Sequence, residues 1–200
     1  MKEAVKATAR VLASIAVLPQ LFSFQVRAIV LGRDRALVGS TQWLSLVPGL
    51  VGQYLRRAFL ARALSGGCAS SAVVEFGTLF SQAGSKIDDH VYIGPRCHLG
   101  LVHLERDVLL AAGVHIPSGP HVHGTDPSTP IRTQPGTLRL VRIGAGTWIG
   151  SNAVVLADVG RDTIVGAGSI VTRPLPDGVV AAGSPARIVR HRDEPGSRLA

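Results

Sequence analysis

The chain has 200 residues, enough for one domain with an appendage and too few for two ordinary domains. Hydrophobic residues make up 46 %, aromatic residues 4 % and charged residues 17 %, so the apolar mass is aliphatic and intrinsic disorder is excluded. With 23 Gly and 12 Pro the chain turns too often for a coiled coil, and a net charge of +8 leaves nucleic acid, a membrane surface or an anionic small ligand as partners.

The charge is not evenly spread. Residues 1–66 hold nine Lys/Arg (Lys2, Lys6, Arg10, Arg27, Arg33, Arg35, Arg56, Arg57, Arg62) against Glu3 and Asp34, a balance of +7 that leaves only +1 for the remainder. The pattern predicts a helix over 4–18, with Lys2, Lys6 and Arg10 spaced by four on one face. Val11 to Leu18 is nearly all apolar, but Pro19, Gln25 and Arg27 interrupt the roughly 20 apolar residues that a spanning helix needs. A second apolar stretch, Trp43 to Leu50, is broken by Pro48-Gly49. It leads into an amphipathic basic helix over 53–64, where Arg56, Arg57 and Arg62 alternate with Tyr54, Leu55, Phe59 and Leu60. Three readings of 1–66 stay open: helices lying on or partly in an anionic membrane, helices packed on the main domain, and a transmembrane or signal anchor.

The chain changes character at Gly66-Gly67. From residue 73 aliphatics recur every six residues: Ile87, Ile93 and Leu99, then Ala111 after a weak turn at Glu105. The period resumes at Ile143, Ile149 and Val155, and again at Val165 and Val171. Glycine often follows directly (Gly94, Gly100, Gly144, Gly150, Gly166), and a small residue often sits four after (Val91, Cys97, Thr147, Ala153, Ser169). This is a hexapeptide repeat. It predicts a mainly β solenoid of triangular section, in which each six-residue unit gives one strand and one corner, the aliphatics stack as a column, and rings find no room. Val155 and Val165 stand ten apart, so one coil is two residues short. Between Ile116 and Val141 the period vanishes. Residues 117–140 are therefore a long excursion, and excursions of that length in a regular solenoid are usually functional. The expected organisation is a helical segment 1–66, a solenoid 67–192 with a functional loop 117–140, and a tail 193–200.

Three segments carry a resemblance. They are Ile143-Gly-Ala-Gly-Thr-Trp148-Ile-Gly-Ser151, Val165-Gly-Ala-Gly-Ser-Ile-Val-Thr-Arg173, and Val179-Val-Ala-Ala-Gly-Ser-Pro-Ala-Arg187-Ile-Val-Arg190. Over residues 73–192 the chain resembles the hexapeptide-repeat acyltransferases, among them the galactoside, maltose and xenobiotic O-acetyltransferases. The resemblance implies a left-handed parallel β-helix and transfer of an acetyl group from acetyl-CoA. It implies a loop histidine seven residues after Val114, namely His121, as general base toward an acceptor hydroxyl, with His123 in reserve. A neutral imidazole suits that role, since its ordinary pKa lies near the working pH. It implies direct transfer in a ternary complex, with backbone N–H groups receiving the oxyanion. Ser151, Ala167, Thr172, Arg173, Arg187 and Arg190 match positions that line the CoA channel in similar enzymes, where small residues admit the pantetheine arm and guanidiniums hold phosphates. Asp126 is a candidate to orient the imidazole, His115 should face outward, and Trp148 is a packing residue.

The resemblance further implies a homotrimer with CoA between neighbours. The family's Asn and Asp acceptor contacts have no equivalents near Tyr92–His98, which argues against a soluble galactoside or maltose acceptor. Ser45-Leu-Val-Pro-Gly-Leu50 and Tyr54-Leu-Arg-Arg-Ala-Phe59 are similar to segments of membrane-associated acetyltransferases of surface-glycan and polysaccharide pathways, which points to a sugar or lipid-linked sugar acceptor and to a cytoplasmic location, in the cytosol or at the cytoplasmic face of the inner membrane. An amine acceptor is the near alternative. The γ-type carbonic anhydrases share the fold, and His98 and His103 imitate two of their zinc ligands, but His90 has the wrong spacing for a third, so no metal is expected. A non-catalytic scaffold is the remaining class. Nucleic acid is not expected, because no basic–aromatic interleaving occurs on the repeat. Cys68 and Cys97 have no CxxC or zinc spacing and read as reduced thiols.

Overall fold

The computed structural model of the protein describes residues 2–193, and of Lys2 and Glu3 only the backbone. The expected tail 193–200 lies outside the described residues apart from Asp193. Four helices come first: α1 (Lys2–Ala16), α2 (Leu18–Leu31), α3 (Arg33–Ser45) and α4 (Gly49–Ala63). Pro19 stands in the first turn of α2, where its missing N–H costs no hydrogen bond, and α1 and α2 meet there at a 43° bend. Gly32 ends α2 at φ +84°, a left-handed conformation that an L side chain rarely adopts, and turns the chain back into α3.

After the helices the chain winds as a parallel β-helix with three faces. The first face stacks Val73–Val74, Tyr92–Ile93, Leu109–Leu110, Trp148–Ile149, Ile164–Val165 and Val179–Gly183, all parallel, and ends in the antiparallel strand Ala186–His191. The second face stacks Leu79–Phe80, His98–Leu99, His115–Ile116, Val154–Val155 and Ile170–Val171. The third face stacks Lys86–Ile87, Val102–Leu104 and Val141–Ile143, then narrows to single bridges through Val159 and Leu175. The narrowing explains the short spacing seen in the sequence. Trp148 pairs with Ile164 sixteen residues on, because the third face has shrunk to one bridging residue.

The column of aliphatics is as expected: Ile87, Ile93, Leu99, Ile116, Ile143, Ile149, Val155, Val165 and Val171 are all buried. So are the small residues at Val91, Cys97, Thr147, Ala153 and Ser169. Each fully buried aliphatic side chain contributes about 1.5–3 kcal/mol. The sequence reading fails at the weak turn. The inward residues there are Leu104 and Leu110, not Glu105 and Ala111, because that unit has five residues and the register slips by one. Glu105 then stands at the corner, accepting hydrogen bonds from Arg142 Nη1 (3.2 Å) and the Ala145 N–H (3.1 Å). The column also admits one ring, Phe80, in its first coil. The glycines after the aliphatics serve close approach: a Cβ on Gly150 would stand 2.5 Å from the Ala167 nitrogen of the next coil.

The helices form two layers over the open end of the solenoid. A parallel stack leaves unpaired backbone groups on its first coil, and α3 and α4 satisfy them. Arg56 Nε donates to the Val74 carbonyl (2.9 Å), Thr41 Oγ1 to the Phe80 carbonyl (3.2 Å), and the Ala83 N–H donates to Asp34 Oδ1 (2.8 Å). Arg56 Nη1 also donates to the Leu44 and Val47 carbonyls. Arg57 donates to the Ser70 carbonyl and lies over the Tyr54 ring. Arg56 and Arg57 are buried, so among the readings left open for 1–66 this helix follows the one in which helices pack on the main domain. The two cations are structural because α4 is an inner helix. Phe24 of α2 and Phe59 of α4 meet edge to face with centroids 5.6 Å apart and join the layers.

Candidate active site

The excursion leaves the coil after Ile116, at the corner between the second and third faces. Its two limbs are clasped at the base. The Arg139 N–H donates to the Ser118 carbonyl and the Thr137 N–H to the His121 carbonyl, both at 2.8 Å. Gly136 permits this, since a Cβ there would stand 2.1 Å from the Val122 carbonyl carbon. Buried Ser118 anchors the start by accepting the Leu101 N–H at Oγ, and Arg139 anchors the end through an ion pair with Asp158 (2.8 Å). The His121 backbone is therefore held, while its imidazole and that of His123 are exposed and make no hydrogen bond among the described residues. The outer loop is organised by Gln134, which donates to the Asp126 and Thr129 carbonyls (2.7 Å each) and accepts the Asp126 N–H (2.8 Å). Asp126 does not orient a histidine. Its Oδ1 accepts from the N–H and hydroxyl of Ser128, and those bonds hold its carboxyl below the usual range.

The register shows which candidate positions share a neighbourhood. Ser151 and Ala167 stack at the corner between the first and second faces, where the Gly168 N–H donates to the Ser151 carbonyl (2.8 Å). Arg187 pairs with Ala182 one coil further along, so it continues the same corner. Thr172 and Arg173 follow Val171 at the opposite edge of the second face, the corner from which the His121 loop departs. Five of the six positions thus flank the second face. Arg190 does not, because it pairs with Val180 within the first face.

The second face carries a feature that hexapeptide periodicity could not reveal. His98 and His115 occupy paired outward positions on successive coils, and their rings stack with centroids 5.0 Å apart and planes within 1°. Burial, and secondarily the charge of His98, lower the pKa of His115 from its ordinary value. Seventeen residues separate the two, one coil shortened by the five-residue unit, so a strict six-residue period does not pair them. His103 lies on the third face with Nε2 2.9 Å from Asp88 Oδ2, so it cannot share a metal with His98. Burial alone would raise the Asp88 pKa, but hydrogen bonds from Lys86 and His103 outweigh it and lower the value. A groove of about 680 Å³ beside Asp88, His103, Glu105 and Arg161 contains none of the candidate residues. Cys68 and Cys97 are buried, which pushes their thiols up to about 12 and about 11.

The comparisons agree with this architecture. A family model described as the hexapeptide repeat of succinyl-transferase matches residues 140–173. The chain is 32 % identical over 124 residues to the Escherichia coli K12 protein named "Putative lipopolysaccharide biosynthesis O-acetyl transferase WbbJ", covering 57 % of this chain and 61 % of that one. It is 35 % identical over 91 residues to a galactoside O-acetyltransferase of Lactococcus lactis, covering 42 % and 44 %. The chain thus spans less than two thirds of these curated relatives. Among solved structures, a maltose O-acetyltransferase from Clostridium difficile 630 superposes with a TM-score of 0.70 at 22 % identity, covering 82 % of this chain and 89 % of that one. Its likeness is one of fold. By its repeat, its three-faced parallel winding and these relatives, the chain is a hexapeptide-repeat β-helix protein that resembles the acyltransferases built on that repeat.

Proposed function

We propose that the protein transfers an acetyl group from acetyl-CoA to a hydroxyl of a sugar or glycan-type acceptor, with His121 as general base. The observation that carries the reading is the clasped loop, in which the Thr137 N–H donates to the His121 carbonyl and the Arg139 N–H to the Ser118 carbonyl, and which leaves the solenoid at the edge of the second face that Thr172 and Arg173 also flank. The names of the relatives, an O-acetyl transferase of lipopolysaccharide biosynthesis and a galactoside O-acetyltransferase, support acetyl transfer and a sugar acceptor.

In this reading an imidazole nitrogen of His121 takes the proton of the acceptor hydroxyl while the oxygen attacks the thioester carbonyl. The new C–O bond forms as the C–S bond breaks, and the imidazolium returns the proton to the departing thiolate. Ser151 and Ala167 leave room along one edge of the second face for an extended arm. Arg173 and Arg187 supply guanidiniums for phosphates, and Arg190 lies further along the same end of the solenoid. His123 is the substitute base. Three copies around an axis would bring second faces against neighbours and close the channel. The expected location is the cytoplasmic side of the inner membrane, where acetyl-CoA is available.

A thiol-release assay across free and lipid-linked sugars tests the reading. Acceptor-dependent CoA release that His121→Ala abolishes supports it. Release unchanged in His121→Ala, or no release with any sugar, overturns it. Sedimentation that finds only monomer in detergent-free buffer would remove the trimer.

A further inference from the structure

Helices α1 and α2 carry apolar residues on an inner and on an outer side. One side packs on α3 and α4 through Ala13, Val17, Leu21 and Phe24. The other leaves Val11, Leu12, Ile15, Phe22, Ile29 and Val30 each more than half exposed, with Ile29 at 86 %. An exposed apolar patch of this extent marks a partner. Between α1 and α4 runs an apolar groove of about 640 Å³, lined by Val5, Leu12, Ala13, Leu50, Val51 and Leu55.

Beside that groove, sharing Lys6, Leu50 and Tyr54 with it, lies a second pocket of about 210 Å³. Lys6, Arg10 and Arg57 line it, and no carboxylate stands among the described residues of its lining. Arg10 Nε is buried without a hydrogen-bond partner among the described residues, an arrangement that costs free energy. Burial, and then the charge of Arg10, lower the pKa of Arg57, so the two guanidiniums lie near each other.

We propose that this end of the molecule binds an anionic phospholipid bilayer, with a lipid phosphate in the Lys6–Arg10–Arg57 pocket and acyl chains along the α1/α4 groove. A cationic pocket next to an apolar groove matches a phosphate ester next to hydrocarbon. Residues 1–66 carry +7, so a second copy on the same face would set like charge against like. No single described helix is long and apolar enough to cross a membrane. By length and composition α1 and α2 meet that requirement only as a pair bent by 43°; singly they measure about 22 and 21 Å against about 30 Å of hydrocarbon, and with their inner sides packed on α3 and α4 they fit seating in one leaflet. The inference does not rest on the acetyl-transfer reading, because it is read from vesicles.

The test is flotation of the full chain with vesicles of phosphatidylcholine alone or mixed with phosphatidylglycerol. Binding to the mixed vesicles is expected, weakening with salt. Arg10→Gln should lower that binding about fivefold and leave binding to neutral vesicles unchanged. Leu12→Asp with Leu50→Asp should abolish binding to both. These side chains are 61 % and 70 % exposed, so the fold is retained, as an unchanged thermal midpoint would report. The proposal fails if the wild type does not float, or if Arg10→Gln floats like the wild type. It fails if inorganic phosphate raises the thermal midpoint through Arg10 without vesicle binding, which would make the pocket a free-anion site. It fails also if a lipid-free dimer that Leu12→Asp dissociates accounts for the face.

Discussion

The helical region and the solenoid treat the same residue types in opposite ways. In the solenoid the aliphatics are hidden in a column, and Arg139, Arg142 and Arg161 stand at the surface in ion pairs with Asp158 and Glu105. In the helical region Arg56 is buried among three carbonyls, and Ile29, Val30 and Phe22 face outward. The difference follows from geometry. A solenoid satisfies its backbone coil by coil, so its arginines are free for the surface, but its first coil has open carbonyls. A long cation with several donors closes such an edge well. The helices are therefore an adapter, whose inner layer completes the solenoid and whose outer layer remains apolar.

The comparison can be broken at several points. The largest effect is expected at the loop. His121→Ala should reduce turnover by about 10²–10⁴ with an unchanged thermal midpoint, because the side chain is exposed and only its backbone is held. A larger loss with His123→Ala would move the base to that residue. Next come the two kinds of core. Ile149→Ala should destabilise the solenoid by about 2–5 kcal/mol in denaturant unfolding. Arg56→Met should cost a comparable amount, about 3 kcal/mol, by leaving the Val74, Leu44 and Val47 carbonyls without their donor. A neutral Arg56→Met would mean that packing alone holds the cap.

Gln134→Ala removes three loop hydrogen bonds and should speed proteolysis within 117–140 while leaving global unfolding within about 1 kcal/mol. Smallest is the pH effect of the stacked histidines. His115 has a lowered pKa, so the unfolded chain binds its proton more readily than the folded one, and stability falls as pH drops below the ordinary histidine value. His98→Asn should flatten that decline only in part, since burial is the larger cause and the neighbouring charge the smaller. An unchanged acid slope in thermal midpoints from pH 7 to about 5 would separate the stack from acid sensitivity.

Much of this was legible in the residues. The six-residue period gave the winding, the inward column and the length of the loop, because each coil repeats one local problem: an aliphatic inside, a glycine where the next coil passes close. The period misled at Glu105, where a five-residue unit shifted Leu104 and Leu110 inward, since a one-residue slip leaves no mark until a neighbouring coil fixes the register. The place of Arg56 and Arg57 was left open by the residues. Their spacing on α4 is amphipathic, and only the packing of α3 and the first coil reveals that carbonyls wait on that side.

The chain's own order thus determined the repeat, the loop that carries His121, and the concentration of positive charge in the first 66 residues. These are local properties, set by period and composition. Only the tertiary structure decided the stacking of His98 on His115, the dependence of the outer loop on Gln134, and which cations close the solenoid and which meet beside the apolar groove. Those pairings join residues one coil or several helices apart, and contacts at that distance are fixed by how elements pack.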